Sequence, residues 1–153
     1  MRLTTLLTWQ EYKTKSDEAV ARNFWRNDRR VFLPGMGWLN EWYFDPKGGC
    51  PNTMCKVGDP FLSIHYWRDW ANKRPPIEVV CPNGDVWCPD RKSSNGDGWA
   101  VTGEWPNLTC TPSIVAGDYH GFLRGGEFTL DLSGKTWPTP NIPANYGRPS
   151  PGT

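Results

Sequence analysis

The sequence predicts a mainly β fold: a small antiparallel β-sandwich or β-roll with one N-terminal helix and extended N- and C-terminal arms. Three observations predict it. Short runs with strict two-residue alternation fill the second half of the chain, above all between Trp99 and Leu132. The dipeptides Asn83-Gly84 and Gly125-Gly126 each sit between two such runs, the spacing of a tight hairpin. The 16 Gly and 15 Pro among 153 residues restrict regular helix and favour turns.

Taken in order, residues 1–7 read as an arm. Thr8-Trp9-Gln10-Glu11 matches a capping box, with Thr8 as N-cap and Glu11 three residues on. Trp9, Tyr12, Val20 and Phe24 follow a helical spacing, so a helix is expected over 9–26, with Ser16-Asp17 as an alternative restart. Arg26, Arg29 and Arg30 around Asp28 suit the C-terminal end of that helix, where positive charge is favourable. Residues 34–60 form an irregular, aromatic-rich stretch punctuated by Pro-Gly, Asp-Pro, Gly-Gly and Pro-Asn pairs. Phe61–Trp70 reads as a strand buried on both faces. Ile77–Cys81 is a β-branched run, and Asn83-Gly84 turns it back toward Val86, Trp87 and Cys88.

The focal stretch supplies further strands. Trp99 and Val101 share one face, as do Leu108 and Cys110. Tyr119, Gly121 and Leu123 point one way, His120, Phe122 and Arg124 the other, and Phe128, Leu130 and Leu132 alternate with Thr129 and Asp131. Residues 133–153 carry five prolines and almost no aliphatic side chain, which predicts a polyproline-like tail. The organisation is an N-terminal arm and helix over 1–33, a β-rich domain over 34–132 and a Pro-rich extended tail over 133–153.

A chain of 153 residues holds one ordinary domain, and its 10 Trp, 5 Tyr and 6 Phe compensate for an apolar content of 37%. The formal charge of +1 argues against a dominant nucleic-acid footprint. Met1-Arg2 followed by LTTLL is too short for a secretion signal, and no apolar run has the length of a membrane span. A soluble protein made in a cytoplasm is expected.

The five cysteines leave at least one unpaired within the chain. Three arrangements remain open: buried thiols throughout, two local bridges (Cys50–Cys55 and Cys81–Cys88), or one structural zinc held by these four with Cys110 in the core. No cofactor other than that structural zinc is indicated. His120, with Asp118 two residues before it, is either a metal ligand or general base or a half-buried sheet residue. The second reading is favoured, because His65 is the only other histidine. Asp85, Asp90, Asp97, Glu104 and Asp118 lie in turn contexts where Asp bonds its own backbone. No nucleophile elbow, phosphate loop or HExxH pattern is present. Trp67, Trp87 and Trp99 fall inside alternating runs and are read as core. Trp38, Trp42, Trp105 and Trp137, with Tyr146, fall in loops or the tail and are the interface candidates.

The pieces RPPI (74–77), CPNGDVWCPD (81–90), SNGDGW-x-VTGE-x-P (94–106), TPSI (111–114) and YHGFL-x-x-G (119–126) together resemble a family of small proteins of unknown function encoded by tailed bacteriophages and prophages. The resemblance covers residues 60–130 and implies a phage gene and a β-rich domain. Relatives with more Cys and His around the first and last of these words look metal-binding; here they hold Cys81, Cys88 and His120. The expected function is a bacteriophage structural protein, a virion-associated accessory, decoration or connector subunit. It would be assembled in the host bacterial cytoplasm and would bind other virion proteins through its arms, as a homo-oligomer or against a capsid or tail neighbour. No membrane and no specific nucleic acid are expected as partners. The alternatives are a zinc-binding accessory protein or small metal-dependent hydrolase acting in the infected cell, and a surface glycan-binding module.

Overall fold

The computed structural model describes residues 1–26, 28–41, 74–91 and 98–137. The expected strand over 61–70, Trp42, Trp67, Cys50, Cys55 and Tyr146 lie outside them.

The fold is mainly β; the described residues form a sandwich of two four-stranded sheets with one helix. The N-terminal segment is extended, and its hydrogen bonds are taken up by its own domain. Leu3 N–H donates to the Gly126 carbonyl and Phe128 N–H to the Met1 carbonyl, each at 2.8 Å. Thr4 then bonds Gly35, and strand β1 (Leu6–Leu7) pairs parallel with β2 (Gly37–Leu39). These few residues therefore stitch one sheet to the other.

Helix α1 (Trp9–Ala21) opens on the expected capping box: Thr8 Oγ1 accepts from Glu11 N–H at 3.1 Å, and Glu11 Oε1 accepts from Thr8 N–H at 3.0 Å. It closes earlier than the spacing predicts. Asn23 adopts a left-handed φ of 64°, its N–H donates to Val20 O, and Phe24 N–H reaches back to Ala19 O at 2.8 Å. That is the double bond pattern of a left-handed C-terminal stop, which Asn tolerates because its short amide meets little steric penalty there. Ser16 does not restart the helix; its buried hydroxyl donates to the Arg26 carbonyl at 3.1 Å.

The first sheet runs β1-β2-β3-β4, with β3 (Ile77–Val80) antiparallel to β2 and to β4 (Val86–Trp87). A hairpin turn forms at the expected place, but Pro82 and Asn83 are its central residues: Gly84 N–H donates to the Cys81 carbonyl, and Gly84 holds a φ of +89°. The second sheet runs β5-β6-β7-β8 (Ala100–Thr102, Thr109–Ala116, Tyr119–Arg124, Glu127–Phe128), all antiparallel. Its β6–β7 register shifts between Cys110 and Ile114, where Pro112 removes a ladder donor. The expected alternation in β7 holds. Tyr119, Gly121 and Leu123 are buried, His120 and Phe122 are half-buried, and Arg124 lies out over the Phe122 ring at 4.2 Å. At Gly121 a side chain would run into the Tyr119 hydroxyl, which donates to the Thr129 carbonyl at 2.9 Å.

Two cores result. Ile77, Val79, Cys81 and Trp87 meet Leu108, Cys110, Ile114, Tyr119, Leu123 and Phe128 between the sheets, and Leu3 joins them. On the other face of the first sheet, Leu7, Trp38 and Val80 meet Tyr12, Ala19, Val31 and Phe32. Residues 1–33 thus contribute to both cores. Trp38, expected in a loop, lies in β2 with its ring stacked 4.2 Å from Tyr12. The Pro34-Gly35 pair just before it marks a turn in the sequence; pairing to β1 and β3 places Trp38 in a strand.

Helix packing on the first sheet depends on where α1 begins. Replacing Thr8 by Ala removes an acceptor for the Glu11 N–H and is expected to lower stability by about 1 kcal/mol. Urea denaturation should show this as a lower midpoint with an unchanged slope.

Candidate functional site

The most polar part of the interior lies where β3 begins. Asp90 follows β4 and is only 1% exposed. A charge there needs partners, and it has them: Arg74 Nη2 donates to Oδ1, and Arg74 Nη1 and Ile77 N–H donate to Oδ2, all at 2.8 Å. Asp90 was expected to cap a turn. It is instead one half of a two-pronged ion pair that ties residue 74 to the segment leaving the hairpin.

Beside it, Glu78 stands in the middle of the β-branched run Ile77–Val80, opposite Trp38 in the register. Asn40 Nδ2 donates to Glu78 Oε1 at 3.2 Å. Burial pushes the Glu78 carboxyl up to about 7; the field of Arg91 opposes that shift and the field of Asp90 adds to it. Asn40 is 6% exposed, and among the described residues its Oδ1 has no hydrogen-bond partner. Sequence inspection had passed over both residues. The available signal is a carboxylate inside an otherwise apolar strand, and the fold leaves it half-buried.

A second polar group joins the sheets. Asn83 Oδ1 accepts from Asp85 N–H at 3.1 Å, so Asn83 itself makes the side-chain turn. Its Nδ2 lies 2.8 Å from both the Ala116 carbonyl and Asp118 Oδ1 and 3.0 Å from Asp85 Oδ2. The β3–β4 hairpin of one sheet is thereby clasped to the β6–β7 turn of the other. Trp137 Nε1 donates to Asp118 Oδ2 at 3.2 Å, and hydrogen bonds from Asn83 and Trp137 hold the Asp118 carboxyl below its usual range.

Cys81, Cys88 and Cys110 are free and buried. A Cys81–Cys88 bridge across the hairpin does not form, because the register opposes Val80 to Val86 and Val79 to Trp87. Cys81 consequently faces Asp85, its N–H donating to the Asp85 carbonyl at 2.8 Å. Cys81 lies in the core between the sheets, whereas the Cys88 thiol feels Glu78 and Asp90. Burial pushes all three thiols up, Cys110 to about 12. A thiol held in its protonated form is a poor nucleophile and a poor ligand.

His120 Nε2 lies 3.3 Å from Ser113 Oγ. Asp131 does not orient the ring; its Oδ1 accepts from the His120 backbone N–H at 2.8 Å, and its Oδ2 from Ser133 and Lys135 N–H. These backbone donors hold the Asp131 carboxyl below its usual range. The serine–histidine contact thus lacks the third group that positions a base in hydrolytic sites. The half-buried sheet environment favoured for His120 is where the fold puts it.

Of the tryptophan candidates, Trp38 is buried at 3% exposure and has no surface to offer. Trp105 is half-buried, its Nε1 donating to the Thr4 carbonyl at 2.9 Å, and Trp137 packs on Tyr119 at 6.0 Å. Trp87 is core and Trp99 packs against it edge-on, as expected. The aliphatic side chains that do face solvent are others. Val115 is 65% exposed, Leu130 88% and Leu132 54%. Val115 is the register partner of His120, and Leu132 N–H donates to the His120 carbonyl, so the two flank that residue on either side.

Among the described residues no group of three or more His, Cys, Asp and Glu side chains could hold a metal ion. The four-cysteine zinc arrangement includes Cys50 and Cys55, which lie outside those residues. No helix among the described residues is long and apolar enough to cross a membrane. Comparison with protein-family models, curated proteins and solved structures gave no match.

Two outcomes follow from this interior. Arg74→Ala leaves the Asp90 carboxylate buried without its guanidinium, at an expected cost of about 3 kcal/mol in denaturant titration. In the native protein Cys81, Cys88 and Cys110 should resist iodoacetamide, and peptide mass spectrometry should find them alkylated only after denaturation.

Proposed function

We propose that the chain is a non-enzymatic, virion-associated bacteriophage protein, an accessory, decoration or connector subunit that works by binding other virion proteins. The observation that carries this reading is the exposed aliphatic pair Val115 and Leu132, which flank His120 at the second sheet, with Leu130 exposed two residues before Leu132. Apolar side chains grouped in this way on a β-sheet lose unfavourable contact with water when another protein covers them. The engaged carboxylates, Asp90 and Asp131 buried and Asp118 exposed, give further support. Asp90, Asp118 and Asp131 are each engaged by donors of the fold itself, as expected of structural rather than reacting groups. The resemblance of residues 60–130 to small phage proteins supplies the setting.

Of the two arms that composition suggests as contacts, the N-terminal one is taken up by its own domain, and residues 138–153 of the C-terminal one lie outside the described residues. The first residues of the chain are committed to Gly126, Phe128 and Gly35 of their own domain. We place the contact at the second sheet instead of the N-terminal segment.

The double variant Leu130→Asp/Leu132→Asp tests this, because both side chains already face water and their replacement leaves the core intact. In a host producing the particles, co-sedimentation of the tagged variant with purified particles should fall at least tenfold while its melting temperature stays within about 2 °C of the parent. Undiminished incorporation would count against the second sheet as the docking face, and absence of the parent chain from the particles would count against virion association.

A further inference from the structure

Asn40 and Glu78 form an incomplete pair. Asn40 follows β2, and its backbone N–H donates to the Pro76 carbonyl at 2.7 Å, which fixes the residue beside the start of β3. Its amide gives one hydrogen bond to Glu78 Oε1, while its Oδ1, buried with the rest of the side chain, is left without a donor among the described residues. An ionised carboxylate only accepts, so it cannot serve that oxygen. A protonated carboxyl carries an O–H and has the complementary face of an amide. One oxygen accepts from Nδ2, and the other donates to Oδ1.

We propose that Glu78 and Asn40 form a proton-dependent clasp between β2 and β3, closed by two hydrogen bonds when Glu78 is neutral and reduced to one when it ionises. The proton moves between Glu78 and solvent, and nothing else changes hands. Among the described residues four groups bear on Glu78. Arg91 favours its ionised form and Asp90 disfavours it; Asn40 is the bonding partner, and the Cys88 thiol lies within reach of its field. Asp90 is itself neutralised by Arg74. The other residues on this face, Trp38 and Val80, are apolar and packed under α1, so they give an anion no compensation.

The direction follows from burial. Glu78 binds its proton more tightly folded, at about 7, than the 4.5 of an unhindered Glu side chain. The clasp therefore contributes fully below about pH 4.5, and its contribution is lost as the pH rises toward 7. The proposal concerns the stability of the first sheet and stands independently of what binds the second.

The experiment is thermal unfolding of the full chain from about pH 5 to about pH 8, for the parent and for Glu78→Gln. A glutamine keeps both hydrogen bonds at every pH. The parent melting temperature should fall by about 5–10 °C across this range. That of Glu78→Gln should stay nearly flat, and lie above the parent at the alkaline end. A variant with the parent's slope, or one less stable than the parent near pH 8, would overturn the clasp. Should Glu78→Gln not fold, carboxyl carbon-13 NMR of the glutamate-labelled parent decides the matter. A Glu78 midpoint near 7 supports the clasp, and one near the ordinary glutamate value overturns it.

Discussion

Strand β3 is buried on both faces, and the arrangement of the molecule depends on it. Ile77 and Val79 look into the space between the sheets, while Val80 looks toward the helix. One short strand therefore belongs to two cores. Burying both faces of a strand leaves no side chain to solvate it, so the positions in between must be either apolar or a satisfied polar group. Glu78 is the position where that condition is met by a partner instead of by apolar character.

Several other features serve the same strand. Arg74 and Asp90 tie the residues before Ile77 to those after β4, and Asp90 also accepts the Ile77 N–H. The Asn83 clasp holds the far end of the hairpin against the turn between β6 and β7. The N-terminal segment bonds β8 through Met1 and β2 through β1. A two-layer sandwich with such short strands would have weakly held edges. Here the contacts between layers come from polar links at the strand ends as well as from apolar packing.

The parts that carry chemistry elsewhere are spent on this architecture. The three described cysteines are embedded thiols, and Asp131 caps a bend. His120 contacts Ser113 but receives no carboxylate on its ring. Exposed apolar side chains lie at several places, Val115 in the second sheet, Leu130 and Leu132 just after it, and Val20 and Trp25 at the end of the helix.

Local signals in the chain determined the local structure. The capping box set the start of α1, Asn83-Gly84 and Gly125-Gly126 marked the place of two turns, and the alternation in β7 set which side chains are buried, because each depends on neighbours within a few residues. The mainly β class follows from the same local terms. Residue roles that depend on a distant partner were settled only by tertiary structure. Trp38 became core because β1 and β3 pair on either side of it, and Asp90 became an ion-pair anchor because Arg74 is brought to it. Cys81 and Cys88 stayed apart because the hairpin register opposes Cys81 to Asp85. Glu78 stands out in sequence only as a carboxylate within the apolar run Ile77–Val80. Its unusual proton affinity arises from the helix and sheet that cover it, since the energy of a charge depends on what surrounds it in space and not on its neighbours in the chain.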